Sequence, residues 1–106
     1  MDIQLRRALL DISTLATIKD EESYGYKIIK DMSSIIEISE STLYPILRRL
    51  EAQNLLTVRT IEYNGRLRKY YKITDLGRKR LDNFKEEWKE VIQIYKLITE
   101  GENSNE

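Results

Sequence analysis

Two runs of alternating residues flank the dipeptide Asn64-Gly65, and this pattern constrains the fold more than any other feature of the 106-residue chain. Asn-Gly favours a two-residue hairpin turn because both central residues need a positive φ. Such a turn pairs Tyr63 with Arg66 and, further from the turn, Val58 with Tyr71. The sequence therefore predicts a β-hairpin that ends near Ile73.

The two faces of this hairpin differ in character. One face, directed toward the body of the domain, carries Leu56, Val58, Tyr71 and Ile73. The other face carries Arg59, Arg66, Arg68 and Tyr70, while Lys69 points with the first face but lies toward the tip. Cations at the tip suit contact with a phosphate backbone or a minor groove. The alternative is that they only protect exposed strand edges from aggregation.

Three helices are predicted before the hairpin from apolar residues at helical spacing. The first runs from Ile3 to about Lys19, with a stripe formed by Leu5, Leu9, Ile12, Leu15 and Ala16. Further apolar residues lie off this stripe, at Ile3, Leu10 and Ile18. An apolar surface this wide is typical of a helix that packs against a second partner in addition to its own core. The second helix runs from Tyr24 to about Ser34, with Ser23 as its expected cap. The third begins at Ser39 or Ser41.

The third helix has a buried stripe and an opposite polar side. Its apolar residues are Leu43, Ile46, Leu47 and Leu50. The opposite side presents Ser41, Thr42, Tyr44, Pro45 and Arg48. Pro45 has two interpretations: its flat apolar ring contacts a thymine methyl or a sugar, or it only stiffens the start of the helix. A helix of this kind followed by a basic hairpin predicts a winged helix-turn-helix, and therefore a small DNA-binding domain.

The last helix is predicted to begin after Thr74, a plausible cap, and to reach about Thr99. Its large apolar residues follow steps of three and four, as in a coiled-coil seam: Leu81, Phe84, Trp88, Val91, Tyr95 and Ile98. At about 1.5 Å per residue this helix would be roughly 40 Å long, more than a small domain covers. We expect the seam to pair with a second copy; the alternative is that the helix folds back on its own domain.

Composition excludes several classes of function. The chain has no cysteine and no histidine, so thiolate metal sites, disulfides and a histidine-based catalytic site are absent, and neither a metal, a cofactor nor an enzyme activity is expected. No apolar run approaches the roughly 20 residues that cross a bilayer, and a reducing cytoplasm is the simplest location.

The charge is unevenly distributed although the net charge is zero. Residues 48–80 contain 10 basic and 3 acidic residues, a net charge of +7, whereas residues 1–47 carry −3 and residues 81–106 carry −4. DNA affinity depends on local neutralisation of phosphates rather than on whole-chain charge. The positive segment therefore favours double-stranded DNA as a partner; the alternative is a solvated basic face.

Three segments resemble the PadR family of bacterial transcriptional regulators: YGYKIIK at 24–30, ISESTLYPILRRLEAQNLL at 38–56 and RKYYKITDLGRKRL at 68–81. The resemblance implies a homodimeric winged-helix repressor that binds a palindromic operator, often of an efflux, detoxification or stress operon. It also implies DNA contacts from Ser41, Thr42, Tyr44, Arg68 and Lys69. The short C-terminal part is similar to the small subgroup of the family. The Asn-Gly wing tip is shorter than the glycine-rich tip of many relatives.

Trp88, in FKEEWKEV, resembles the tryptophan with which small multidrug-binding members of that family stack planar cations at the dimer centre. The same resemblance implies that Phe84 and Ile92, with Ile12, Leu15 and Ala16 of the first helix, would line the space for an aromatic or cationic effector. Two symmetry-related indoles would form a flat, electron-rich slot. The alternative is that Trp88 only fills the seam.

The sequence thus predicts a mainly α fold with a β-hairpin wing (α+β) and a long C-terminal helix. The winged helix-turn-helix would occupy residues 1–73, the dimerisation helix residues 74–100, and a disordered tail residues 101–106. The competing function is a winged-helix protein-interaction module that binds no DNA.

Overall fold

A computed structural model describes residues 1–102, and the last four residues of the predicted tail, 103–106, lie outside the described part. Six elements follow in the order α1 (Ile3–Thr17), α2 (Gly25–Met32), α3 (Glu40–Ala52), β1 (Leu56–Tyr63), β2 (Arg66–Ile73) and α4 (Asp75–Thr99). This order confirms the predicted mainly α fold with a hairpin wing and a long C-terminal helix. Residues 101–102 of the predicted tail form a turn.

The hairpin has the predicted register. Tyr63 pairs with Arg66, Val58 pairs with Tyr71, and the ladder continues to Leu56 and Ile73. Asn64 and Gly65 both have positive φ, at 50° and 78°, as the two-residue turn requires.

Residue Ser23 extends this sheet by one bridge. Its N–H donates to the Tyr71 carbonyl at 3.0 Å, and the Tyr71 N–H donates to the Ser23 carbonyl at 2.7 Å. The prediction that Ser23 caps α2 is therefore wrong: Tyr24 occupies the cap position without a side-chain hydrogen bond. The backbone of Ser23 is used in the sheet, and its buried hydroxyl has no hydrogen-bond partner among residues 1–102.

The core lies among α1, α2, α3 and the base of the wing, and each element contributes fully buried residues: Leu15, Ile28, Met32, Leu43, Leu47, Leu50 and Leu56. The buried face of α1 differs from its predicted stripe, because Leu10 and Ile18 belong to the core while Leu5 and Ala16 are exposed. The helix packs against three other helices, α2, α3 and α4. A single stripe does not describe such a helix.

Helix α4 begins where the sequence predicts, with the Thr74 side chain accepting a hydrogen bond from the Gly77 N–H at 3.0 Å. The Thr74 hydroxyl also donates to the Asn54 carbonyl at 2.7 Å. Gly77 is buried here, and an added Cβ would lie 2.6 Å from Ile73 Cγ1 and closer still to the Leu55 carbonyl. Only a glycine lets α4 leave the wing at this angle.

The second half of α4 projects from the domain and gives the molecule a longest dimension of 62 Å. Leu81 packs against the core, and Phe84 and Trp88 are partly buried. From Val91 onward the residues of the seam are exposed, so the helix does not fold back over its own domain. No helix in residues 1–102 is both long and apolar enough to span a membrane.

Candidate nucleic-acid interface

Helix α3 presents the predicted polar side to the exterior. Its buried stripe consists of Leu43, Ile46, Leu47 and Leu50, and the opposite side exposes Ser41, Thr42, Tyr44, Pro45 and Arg48. Of the two predicted starts, Ser39 is the observed one, since it occupies the N-cap position. Pro45 therefore lies inside the helix and removes one amide from its hydrogen-bond ladder.

An ion pair joins the first and third helices and orients this face. The Arg49 guanidinium donates to both carboxylate oxygens of Asp11, which is buried in α1. Arg49 thus faces inward, while its neighbour Arg48 faces outward. Because a carboxylate in this position is largely withdrawn from water, the pair restrains the rotation of α3 about its axis.

A groove of about 1260 Å³ separates α3 from the wing. Cationic side chains line it from both walls, Arg48 from α3 and Arg66, Arg68 and Lys69 from the wing. They outnumber the two carboxylates of the lining, Glu40 and Glu51 of α3. Tyr44 and Tyr71 lie between these cations and add hydroxyl groups to the groove. A concave, cationic surface of this kind suits a phosphate backbone with an adjacent base edge.

Tyr71 stays neutral in this groove. Burial raises the pKa of its phenol above the usual value of 10.0, and the nearby Tyr44 and Glu51 raise the pKa further, while Arg48 lowers it. The Tyr71 hydroxyl therefore remains protonated throughout the physiological pH range, and it is available as a hydrogen-bond donor.

Arg68 occupies a different environment from the other cations of the wing. Its guanidinium carbon lies 4.3 Å from the ring centre of Tyr24 and 4.4 Å from that of Tyr63. One of its amino groups also donates to the Tyr70 hydroxyl at 3.4 Å, and this hydrogen bond raises the pKa of the guanidinium. Arg68 is thus held within a cluster of tyrosines, and Tyr24 belongs to the domain body.

A second cation on the same face of the wing is also tied to the domain body. Arg59 forms an ion pair with Glu22, which precedes α2, and this partner lowers the pKa of the Glu22 carboxyl. Together with the Ser23–Tyr71 bridge and the stacking of Arg68, the pair attaches the wing to residues 22–24 at three points. The wing is therefore held at a defined distance from α3.

A smaller cleft of about 370 Å³ lies between α1 and α4. Three of the residues expected to bind an effector line it, namely Ile12, Ala16 and Phe84. Leu15 instead is fully buried in the core, because the α1 face that carries it is the one covered by the other helices. Trp88 stacks on Phe84, with ring centres 5.1 Å apart and planes 20° apart. Ile92 lies one turn beyond Trp88 and is exposed.

The chain matches the model of the transcriptional regulator PadR-like family over residues 14–83, from the last turn of α1 into α4. The match includes α3, the groove and the whole wing. The chain belongs to the PadR-like family. Its members are transcriptional regulators and not enzymes, in agreement with the expectation that this chain has no catalytic function.

Solved structures of similar proteins share the fold of this PadR-like chain. A protein of Streptococcus mutans UA159 is 41% identical over 90% of each chain, with a TM-score of 0.79. A PadR family transcriptional regulator of Eggerthella lenta is 32% identical over 93% of this chain and 88% of its own, with a TM-score of 0.81. The PadR protein of Bacillus subtilis, solved in complex with operator DNA, is 26% identical over 72% of this chain, with a TM-score of 0.66. This match spans 46% of the Bacillus protein.

Sequence reasoning missed the residues that hold the wing of this PadR-like chain. No role was predicted for Glu22, and Tyr24 was predicted only as the start of the second helix. A signal was present, because Tyr24 opens the same YGYKIIK segment that carries the family resemblance. The pairing of Glu22 with Arg59, 37 residues away, has no local signature.

Proposed function

We propose that this PadR-like chain is a homodimeric repressor that binds a palindromic operator in the cytoplasm. The observation that carries the proposal is the groove that α3 shares with the cationic wing. Tyr44 and Arg48 line it from α3, and Arg66 and Lys69 line it from the wing. The operator complex of the Bacillus PadR protein supports it, since that protein shares this fold. Occupation of the operator would block the promoter and prevent transcription.

In this proposal the side chains have separate roles. Ser41, Thr42 and Tyr44 contact base edges or adjacent phosphates in the major groove, and Pro45 offers an apolar surface beside them. Arg48, Arg66 and Lys69 neutralise phosphates. Arg68 contributes indirectly, because its guanidinium is engaged by tyrosines and fixes the position of the wing.

The dimer of this proposal forms through α4. Its seam consists of Leu81, Phe84, Trp88, Val91, Tyr95 and Ile98, and the last three are exposed in the single chain. Burying such residues stabilises an assembly by roughly 1.5–3 kcal/mol each when burial is complete. A two-fold pairing of α4 would set the two α3 helices roughly 34–36 Å apart, one turn of DNA.

In the proposed regulation, the repressed operon serves efflux, detoxification or the stress response. A planar cationic effector that binds at the centre of the dimer relieves the repression. Phe84 covers one face of the Trp88 indole, which leaves the other for a ligand or for the indole of a second copy. The adjacent cleft is lined by Asp20 and Asp82 and also by Lys19, Arg78 and Lys85, and Asp82 is paired with Lys85. The indole face, rather than the charge of the cleft, would therefore attract a planar cation. Its volume of about 370 Å³ falls in the usual range for small-molecule sites.

Binding to its own upstream region tests the proposed DNA function. We expect a salt-dependent mobility shift with an inverted repeat and a weaker shift with unrelated duplex. Tyr44→Ala should reduce the specific affinity without changing the oligomeric state, whereas Lys89→Ala, which removes an exposed cation of α4, should leave binding intact. A chain that is retained on no duplex at low salt would instead be a protein-interaction module.

Calorimetric titration of the DNA-free protein with ethidium, a planar aromatic cation, tests the effector separately. We expect binding to wild-type protein and its loss in Trp88→Ala. Tyr26→Ala alters an exposed aromatic ring of α2 that lines the larger groove and not the cleft, and it should bind as wild type does. Equal binding by all three proteins would restrict the function of Trp88 to filling the seam.

A further inference from the structure

Gly25 is the first residue of α2, it is buried, and its backbone does not require a glycine. The positive φ angles of the described chain occur elsewhere, at Asn54, Asn64, Gly65 and Gly101. In a helical conformation glycine is less favourable than alanine. The reason for a glycine at this position must therefore be the space that a side chain would take.

One side chain fills that space. A Cβ added to Gly25 would lie 2.8 Å from the Tyr44 hydroxyl oxygen, 3.3 Å from Cζ and 3.5 Å from Cε1, and these are its three nearest neighbours. The phenol of Tyr44 thus rests directly on the backbone of α2. The same ring remains 37% exposed, so it packs against Gly25 on one side and faces the groove on the other.

This contact links two helices through a residue of the proposed DNA-reading face. Exposed tyrosine side chains ordinarily exchange among rotamers, and ordering one of them on binding has an entropic cost. A ring that is supported by the backbone of α2 is already placed before DNA arrives. The support exists only while residue 25 has no side chain.

We propose that Gly25 is a positioning residue for Tyr44: it holds the phenol ring in the orientation that meets DNA. This inference rests on the proposed function for its consequence in DNA binding, but the contact itself is independent of DNA. It assigns to the YGY segment a part in operator recognition without direct contact.

A double-mutant cycle tests the proposal through binding. Gly25→Ala should fold as stably as wild type and lose about tenfold in operator affinity, as expected when one base contact is weakened. Tyr44→Phe removes the atom 2.8 Å from the added methyl group and leaves the next at 3.3 Å. In the Tyr44→Phe background, the Gly25→Ala substitution should therefore reduce operator affinity by less than about threefold. Equal losses in both backgrounds would overturn the proposal.

A measurement without DNA separates this inference from the proposed function. In protein labelled with ¹³C at the tyrosine rings, Gly25→Ala should shift the Tyr44 resonances and leave those of Tyr63 unchanged. If the Tyr44 resonances stay and the amide resonances of α2 move instead, the added methyl group has displaced the helix, and Gly25 has no positioning role. Absence of operator binding by wild-type protein would refute the proposed function, while the ring resonances would still decide the role of Gly25.

Discussion

Two neighbouring residues near the end of α4 allow a test of whether its seam pairs with a second copy or is simply exposed. Ile98 and Leu97 are 67% and 71% exposed in the single chain, and they have the same number of carbon atoms. Ile98 lies on the seam, whereas Leu97, one residue earlier, is turned about 100° around the helix and lies off the seam. We expect Ile98→Ala to weaken the dimer and Leu97→Ala to leave it unchanged.

The size of the effect follows from the exposed fraction of Ile98. Replacement by alanine removes three carbon groups, worth about 0.8 kcal/mol each when fully buried. Two-thirds of that surface is available for burial on pairing, which gives about 1.6 kcal/mol per chain. A symmetric dimer contains the contact twice, so the loss is about 3 kcal/mol, close to a 200-fold increase in the dissociation constant.

Sedimentation equilibrium over a range of concentrations measures this constant, and circular dichroism confirms that α4 remains helical. Alanine raises helix propensity at both positions, so this contribution largely cancels in the comparison. Equal dissociation constants for the two variants would refute the seam, and a folded wild-type monomer at micromolar concentration would refute the dimer itself.

Three further predictions concern the wing and its junction with α4. Lys69→Ala should reduce the magnitude of the slope of log affinity against log salt by about 0.9 without changing thermal stability. Arg68→Ala should instead lower the melting temperature of the protein, because its two ring contacts are lost. The opposite pattern would exchange the roles of the two residues. Gly77→Ala should destabilise the domain by about 2–3 kcal/mol in urea unfolding, because the added Cβ would overlap a backbone carbonyl; a stable variant would contradict the close packing. Arg59 lowers the pKa of the Glu22 carboxyl from its usual value of 4.5. The ion pair should therefore protect the amides of the wing from hydrogen exchange above pH 4.5, and the protection should be lost as the pH falls through the lowered pKa. The same pH profile in a Glu22→Gln variant would exclude the ion pair as its cause.

The hairpin and the exposed polar side of α3 were predictable because their determinants are local. An Asn-Gly turn sets its own register through two positive φ angles, and the period of a helix places Ser41, Thr42 and Tyr44 opposite Leu43 and Leu47 without knowledge of the remaining chain. The start of α4 at Thr74 is local in the same sense, since a cap acts on the residues that follow it.

The predictions that failed concern residues whose partners are distant in sequence. Ser23 has the chemistry of a helix cap, but its backbone is used by Tyr71. The family resemblance implied that Leu15 would line the effector space, but Leu15 is enclosed by helices that only the tertiary fold brings together. For α1 an apolar surface wider than one stripe was predicted, but Leu10 and Ile18, which were placed off the main stripe, belong to the core of the domain itself.

The sequence by itself determined the elements, the register of the wing and the side of α3 that faces outward, because each depends on the geometry of a few consecutive residues. Only the tertiary structure decided which cations are free and which are held. Arg66 and Arg68 are two residues apart with identical chemistry, yet Arg68 lies between the rings of Tyr24 and Tyr63. That difference arises from packing against a loop more than forty residues earlier in the chain, and no local pattern encodes such a contact.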